Sequence, residues 1–395
     1  MFALLCFVLG LQELAAPRLL IEDLEGKESV LALTALPLAD PREKGAWIVR
    51  PTGFQSSSAR QEKGGARAHV TLVNGDEVRA RVAGGTGETL ELELFGGVVV
   101  PFELEGLRSL QFPERIPAEQ RHALAPATEG DRLYRLAGAL DAIDGTLEGF
   151  EKDGVRFDSV LGLRTIPWRE TAALYLEVLA KKPEAAETER VPVTLDFAGP
   201  EGGRLRAGLL ALEREHCRLL LGGKNEIALP YFAVAELVVA DGRLTFVSEL
   251  LPTDERGRGV PFGDELGMNW PHRMDRSVLG SALSAGGAVY RRGIGMHAPS
   301  ALSFALEGGA ARLRGSVAID DSALVNGVAA RGSVVFRVLA DGEQLWESPL
   351  VRGGDPPLAL PVLVLAGKRE LVLAVDPAGD FAGDRADWLD LVLIR

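Results

Sequence analysis

The sequence predicts an all-β chain: tandem small β-barrels of the SH3-like or Sm-like kind, then a C-terminal β-sandwich or jelly roll. Three observations predict it. First, short apolar runs with partial alternation (Leu302–Leu306, Val334–Leu339, Leu371–Val375) are bounded by Gly308-Gly309, Asp341-Gly342, Gly353–Pro357 and Pro377–Gly379. That is the pattern of antiparallel strands and turns. Second, no helix-period segment longer than about three turns interrupts the last third of the chain. Third, a triplet of an apolar residue, proline and an aromatic recurs at Val100-Pro101-Phe102, Ile166-Pro167-Trp168 and Leu229-Pro230-Tyr231. The prolines are roughly 65 residues apart, a period that suits a small module rather than a solenoid unit.

Each element follows from local composition. Phe2–Leu11 is an apolar core of the length of a signal-peptide h-region, and Ala15-Ala16 supplies small residues for cleavage, so residues 1–16 read as an export signal. No Lys or Arg precedes the run, and Glu13 lies close to the cleavage position. A buried N-terminal strand or a misplaced start codon are the alternatives. The chain is therefore expected to be secreted or periplasmic. Residues 17–66 form an N-terminal β segment and linker. Leu19–Ile21 and Val30–Leu33 are strand candidates that either belong to a further barrel or pair with the first one, and Pro51–Ala66 is polar and small.

Barrels are expected at residues 67–118, 127–180 and 188–246. Leu90–Leu94 alternates Leu with Glu, so one face is buried and one wet. Asn74-Gly75-Asp76 is a turn signal. The recurring proline reads as part of a third strand, at its start or at a sheet edge, because it cannot donate to a ladder. The sandwich is expected over residues 247–395, with Asp341-Gly342 as a hairpin turn and Pro252–Gly263 as a loop.

Composition narrows the function. The 395 residues are long enough for several domains, and 47% hydrophobic with 25% charged residues is ordinary for a folded chain. A net charge of −13 opposes binding to a phosphate backbone, so no nucleic-acid partner is expected. Nothing beyond the N-terminal run is long and apolar enough for a span, so the chain is not read as an integral membrane protein. After signal removal Cys217 is the remaining cysteine, read as a small core residue on a strand, with His216 facing the other way. The five His show no zinc spacing, and no phosphate loop or GxSxG is present. A glycosidase needs only two suitably placed carboxylates, so hydrolysis stays open as a minor alternative.

One ordered series of motifs carries more. It runs from Ser248–Leu251 through Asn269-Trp270, Asp275–Gly280, Tyr290–Ser300, Val317–Asp321, Gly332–Val338 and Ala340–Gly342 to Asp387–Asp390. In this order it resembles the NPCBM family, carbohydrate-binding modules found beside family 98 glycoside hydrolases. The resemblance implies a galactose-binding-like jelly roll and a non-catalytic glycan partner, with terminal galactose-like sugars as the best match. It also draws attention to Trp270, Arg276, His297 and Trp388 as sugar contacts.

An imidazole offers a donor and an acceptor to hydroxyls, and an indole packs against a sugar's C–H face. Each residue has a second reading: His297 as a buried ring holding its loop, Trp388 as core, Arg276 as a solvated charge. Domains of this fold often hold structural calcium, which wants six to eight hard oxygens at once. The resemblance implies that cofactor here, with Asp320, Asp321, Asp387 and Asp390 as its ligands; Asp320-Asp321 also reads as a simple turn. The chain departs from the family pattern at Glu249, Ala318 and Leu324–Val328. The rival function is an adaptor that binds other envelope proteins through the barrels and the sandwich.

Overall fold

The computed structural model describes residues 16–54, 66–94, 97–177, 190–199, 202–222, 225–257, 269–306, 309–324, 331–379 and 382–395. The proposed signal and most of the Pro51–Ala66 linker lie outside them. The chain divides into two units, Met1–Asp241 and Gly242–Arg395.

In the first unit an N-terminal segment supplies β1 (Arg18–Glu22), β2 (Glu28–Leu31) and β3 (Ile48–Thr52). Three modules follow. The first is β4 (Ala68–Leu72), β5 (Glu77–Thr86), β6 (Thr89–Glu93), β7 (Val99–Glu103) and β8 (Leu107–Gln111). The second is β9 (Asp131–Ala137), β10 (Ala139–Glu151), β11 (Gly154–Ser159), β12 (Arg164–Pro167) and β13 (Thr171–Tyr175). The third is β14 (Val191–Phe197), β15 (Gly203–Leu212), β16 (His216–Leu221), β17 (Asn225–Pro230) and β18 (Val234–Val239).

All three share one topology. The first four strands meander, and the fifth returns to pair with the first. The second strand is long and bulged at the same place in each, at Val82/Gly84, Leu147/Gly149 and Leu209/Ala211. A bulge bends and twists its strand. Gly149 shows why glycine is needed there: its φ is +148°, and a Cβ would come within 2.7 Å of the Gly87 carbonyl oxygen. The recurring proline lies in the fourth strand, not the third. Among the described residues each fourth strand pairs only with its third strand, so the missing N–H falls on an edge. A short turn then leads into the fifth strand, which buries Leu107, Leu174 and Leu237.

The modules touch through their ladders. Leu110 of β8 faces Leu174 of β13, and Val78 of β5 faces Gly203 of β15. The N-terminal segment neither makes its own barrel nor joins the first module. It extends the third, where β3 pairs with β18 at Ile48↔Val238 and Val49↔Leu237. The Arg50 guanidinium lies across this junction, 2.6 Å from Glu22 and 2.7 Å from Glu236. Cys217 is fully buried, which pushes its thiol up to about 12.

The second unit is a sandwich of two antiparallel sheets. Its strands are β19 (Leu244–Phe246), β20 (Asp254–Gly257), β21 (Arg273–Met274), β22 (Leu283–Ala285), β23 (Ala288–Tyr290), β24 (Gly293–His297) and β25 (Ser300–Ala305). They continue with β26 (Arg312–Ile319), β27 (Ser333–Ala340), β28 (Glu343–Glu347), β29 (Val351–Arg352), β30 (Leu358–Ala359), β31 (Leu363–Val364), β32 (Glu370–Pro377) and β33 (Arg385–Ile394). One sheet runs β21-β24-β33-β26, with β19, β30 and β31 at its margins. The other runs β20-β25-β32-β27-β28, with β29 against β27. β22 and β23 form a separate hairpin.

Two boundaries differ from expectation. The sandwich begins at Leu244, because β19 pairs with the end of β33. Part of the expected loop at Pro252–Gly263 is strand β20, paired with β25; residues 258–263 lie outside the described set.

Alternation builds the core. β27 buries every second residue, and Val334, Phe336 and Val338 meet Trp388, Leu391 and Leu393 of β33. Trp388 and Leu391 can share the core because a bulge at Asp390 (φ 45°) reverses the parity of the strand. Asp341 (φ 50°) and Gly342 (φ 80°) make the tight turn that joins β27 to β28.

Candidate functional site

The site lies on the outer face of the β24-containing sheet. Ile294, Met296 and Ala298 point into the core. Gly293, Gly295 and His297 face outward. Opposite them on β33 stand Leu389, Asp387 and Arg385, in the registers Gly293↔Leu389, Gly295↔Asp387 and His297↔Arg385. Glycine at position 295 lets the next layer down onto the strand. A Cβ there would lie 2.4 Å from the Arg276 carbonyl oxygen, and Gly295 N donates to that oxygen at 3.1 Å. Arg276 thus contributes a backbone carbonyl to the cover; its side chain is half-buried.

His297 and Trp270 come together. The indole lies on the imidazole with ring centroids 4.3 Å apart and 15° between planes. Trp270 is half-buried, whereas His297 keeps 4% exposure. His297 is therefore not an open ligand; it lies behind the indole. Its Nδ1 donates to the Ala298 carbonyl at 2.8 Å, since a carbonyl can only accept. Burial moves the imidazole below its usual pKa of 6.5; the Ala298 hydrogen bond opposes this and the Arg385 charge adds to it. The ring is neutral near pH 7.

Two further residues belong to this region and were not singled out from sequence. Glu255 Oε1 accepts from His272 N at 3.1 Å and lies 2.8 Å from His272 Nδ1. This ties the Trp270 segment to strand β20. Arg385 faces His297 across the ladder. The signal for Glu255 was unreadable, because its stretch looked like a charged loop. Arg385 becomes visible only once the β24–β33 register is known.

Trp388 is a correction. It is fully buried, packs edge-on against Phe336 at 5.1 Å, and cannot meet a sugar.

The four acidic residues are a second correction. Asp320 Oδ2 accepts from Ser284 N at 3.0 Å, and its Oδ1 accepts from Ser322 N at 2.9 Å. Asp321 accepts from Gly286 N at 3.0 Å and Gly287 N at 2.9 Å. Both carboxylates thus anchor the β22–β23 hairpin, whose Leu283 and Ala285 pack on Ala318 and Leu389. Asp390 is the bulge residue, with its N donating to Arg292 O at 3.1 Å. Asp387 is fully buried with no donor to either oxygen. Burial holds its carboxyl well above the usual carboxylate range, and the charge of Asp320 and a hydrogen bond to Asp320 add to the shift.

Asp320 and Asp321 thus spend their oxygens on backbone amides rather than leaving them open to an ion. Among the described residues no three His, Cys, Asp or Glu side chains converge on one point. The residues present do not fit calcium.

The family match falls on the second unit. Residues 260–394 match the family model described as NPCBM/NEW2 domain. Alpha-1,3-galactosidase B of Akkermansia muciniphila is 38% identical over 122 residues, which span 30% of this chain and 15% of that protein. The CBM51 module of a Clostridium perfringens GH95 protein, solved in complex with methyl-galactose, is 25% identical with a TM-score of 0.32; the match covers 38% of this chain and 99% of that one. The CBM51-2 and INT domains of Clostridium perfringens ZmpB, solved with GlcNAc, are 21% identical with a TM-score of 0.33, covering 51% of this chain and 40% of that one. Residues 260–394 of the chain are an NPCBM/NEW2 domain.

Proposed function

We propose that the C-terminal sandwich binds a glycan, with a terminal galactose-like sugar as the ligand, and that it does so without cleaving it. The observation that carries this reading is the Trp270–His297 stack. An indole fixed flat on a neutral ring is a rigid platform, and rigid platforms lose little entropy when a sugar's C–H face settles on them. His272, held by Glu255, and Arg385 supply polar groups in the same region. The family match supports a carbohydrate ligand. The galactosidase relative supports galactose as the sugar.

A glycan partner also supports a secreted or periplasmic location. No helix among the described residues is long and apolar enough to cross a membrane. Calorimetric titration of the full chain with methyl galactoside tests the proposal. A saturable signal that is lost in Trp270→Ala, with an unchanged melting temperature, is the expected result. A flat response at millimolar sugar overturns it.

A further inference from the structure

The three modules of the first unit do not treat their fourth strands alike. The fourth strand is the edge of each meander and carries the proline. Among the described residues none of the three has a second ladder partner, but those of the first and third modules are bridged by one side-chain bond, Asn225 Nδ2 of β17 donating to Glu103 Oε1 of β7 at 2.9 Å. In the second module, β12 pairs with β11 on one side and has no ladder partner on the other among the described residues.

The turn that leads into β12 is apolar and bare. Val160 is 99% exposed, Leu161 63% and Leu163 52%. Open edges are normally blunted by charge or covered, because unpaired N–H and C=O groups template the addition of another strand. Here the edge runs straight on from three exposed aliphatic side chains. Arg164 at its start and Pro167 at its far end are what blunt it.

We propose that Val160–Leu163 and β12 form a self-association surface, and that a second copy of this chain is what covers it. The fold itself points to the occupant. One side-chain bond, Asn225 to Glu103, bridges the fourth strands of two modules, and an odd number of modules leaves the remaining fourth strand without such a bridge. A second copy supplies the missing edge, in a two-fold arrangement where the same patch meets itself. Charge agrees with this. Arg164 and Asp158 stand on adjacent strands beside the bare turn, and neither has an ion-pair partner among the described residues. A contact of the patch with itself offers each Arg164 the Asp158 of the other copy. A four-residue turn and a four-residue strand are small beside the roughly 800 Å² per partner of a standard interface, so the dimer is weak.

Sedimentation velocity of the full chain, over a concentration series up to about 100 μM, tests the proposal. The wild type is expected to shift from monomer to dimer. Replacing Val160, Leu161 and Leu163 together by Ser should weaken the dimer at least about tenfold, since three exposed aliphatic groups no longer leave water. Those positions are exposed, so the fold is expected to survive; far-ultraviolet circular dichroism checks it. Thr165→Pro, which removes an N–H from the edge, should weaken the dimer independently. A wild type that stays monomeric throughout overturns the proposal, as does a dimer unchanged in the triple variant. Sedimentation of monomers with phosphatidylcholine vesicles, lost in the triple variant, would assign the turn to a lipid surface and likewise overturn it.

Discussion

The indole of Trp270 lies flat on the imidazole of His297, 4.3 Å from ring centre to ring centre. The half-buried ring is the one a ligand can meet, and the buried ring keeps it still. The two therefore have different roles and should respond differently to substitution. Trp270→Ala removes the platform and should weaken galactoside binding at least about tenfold, with little loss of stability. His297→Phe keeps a flat ring beneath the indole and should retain most of the affinity. His297→Ala should lose affinity by letting the indole tilt. Titration calorimetry of the three variants separates a supporting ring from a direct ligand, because a direct ligand would not survive the change to Phe.

His297 also sets an acid limit on stability. Its folded pKa lies below the unfolded value of about 6.5, because burial penalises the imidazolium. The unfolded chain then binds more protons than the native one as pH falls. The contribution is present above about 6.5 and is lost as pH drops through the folded value. The melting transition of the sandwich should move down between about pH 7 and pH 5, and His297→Phe should flatten that slope. An equal slope in the variant would place the effect elsewhere.

Asp387 works in the other direction. Its carboxyl is held well above the usual range by burial and by Asp320, so the native state keeps a proton that the unfolded chain releases above about 3.9. Its contribution is full below that value and is lost as pH rises through the folded pKa. Asp387→Asn keeps a donor toward Asp320 and has no charge to bury. The variant should melt higher than wild type at neutral and alkaline pH, and should lose the alkaline part of the slope. Thermal scans from about pH 4 to pH 9 show whether it does.

The acidic residues predict indifference to calcium. Both Asp321 oxygens accept backbone N–H groups of the β22–β23 turn, and both Asp320 oxygens are similarly engaged. Adding calcium or a chelator should leave the melting temperature unchanged. Asp321→Ala should free the Gly286-Gly287 turn at a cost of about 1–2 kcal/mol, the scale of two partly exposed charge-assisted hydrogen bonds. A rise in melting temperature with calcium would show that the carboxylates regroup around the ion.

Local chemistry carried much of the fold into the sequence. Leu90 and Leu92 are buried as their alternation with Glu predicts, and Asp341-Gly342 makes its turn because both residues accept positive φ. What stayed hidden depends on parity and distance. Trp388 read both as a sugar contact and as core, and only the bulge at Asp390, which keeps it facing the core together with Leu391, decides between them. Asp320 and Asp321 looked like ligands because carboxylates that cap backbone amides have the same sequence signature as carboxylates that bind metal. Trp270 and His297 could be named separately; only the path of the chain between β20 and β24 puts one on the other.

The N-terminal segment is the clearest case of distance. β3 pairs with β18 across nearly the whole first unit, and no local pattern encodes that partner. The pairing should matter energetically, because Ile48 is 1% exposed at the junction while Val30 on β2 is 56% exposed. Ile48→Asp places an unpaired carboxylate in apolar surroundings and should cost about 3–5 kcal/mol. Val30→Asp should stay within about 0.5 kcal/mol of wild type. Urea unfolding followed at the tryptophans gives both values. Galactoside titration of the same variants should be unaffected, since Trp270 and His297 belong to the other unit. Equal midpoints for the two variants would mean that β3 adds nothing to the third module's stability.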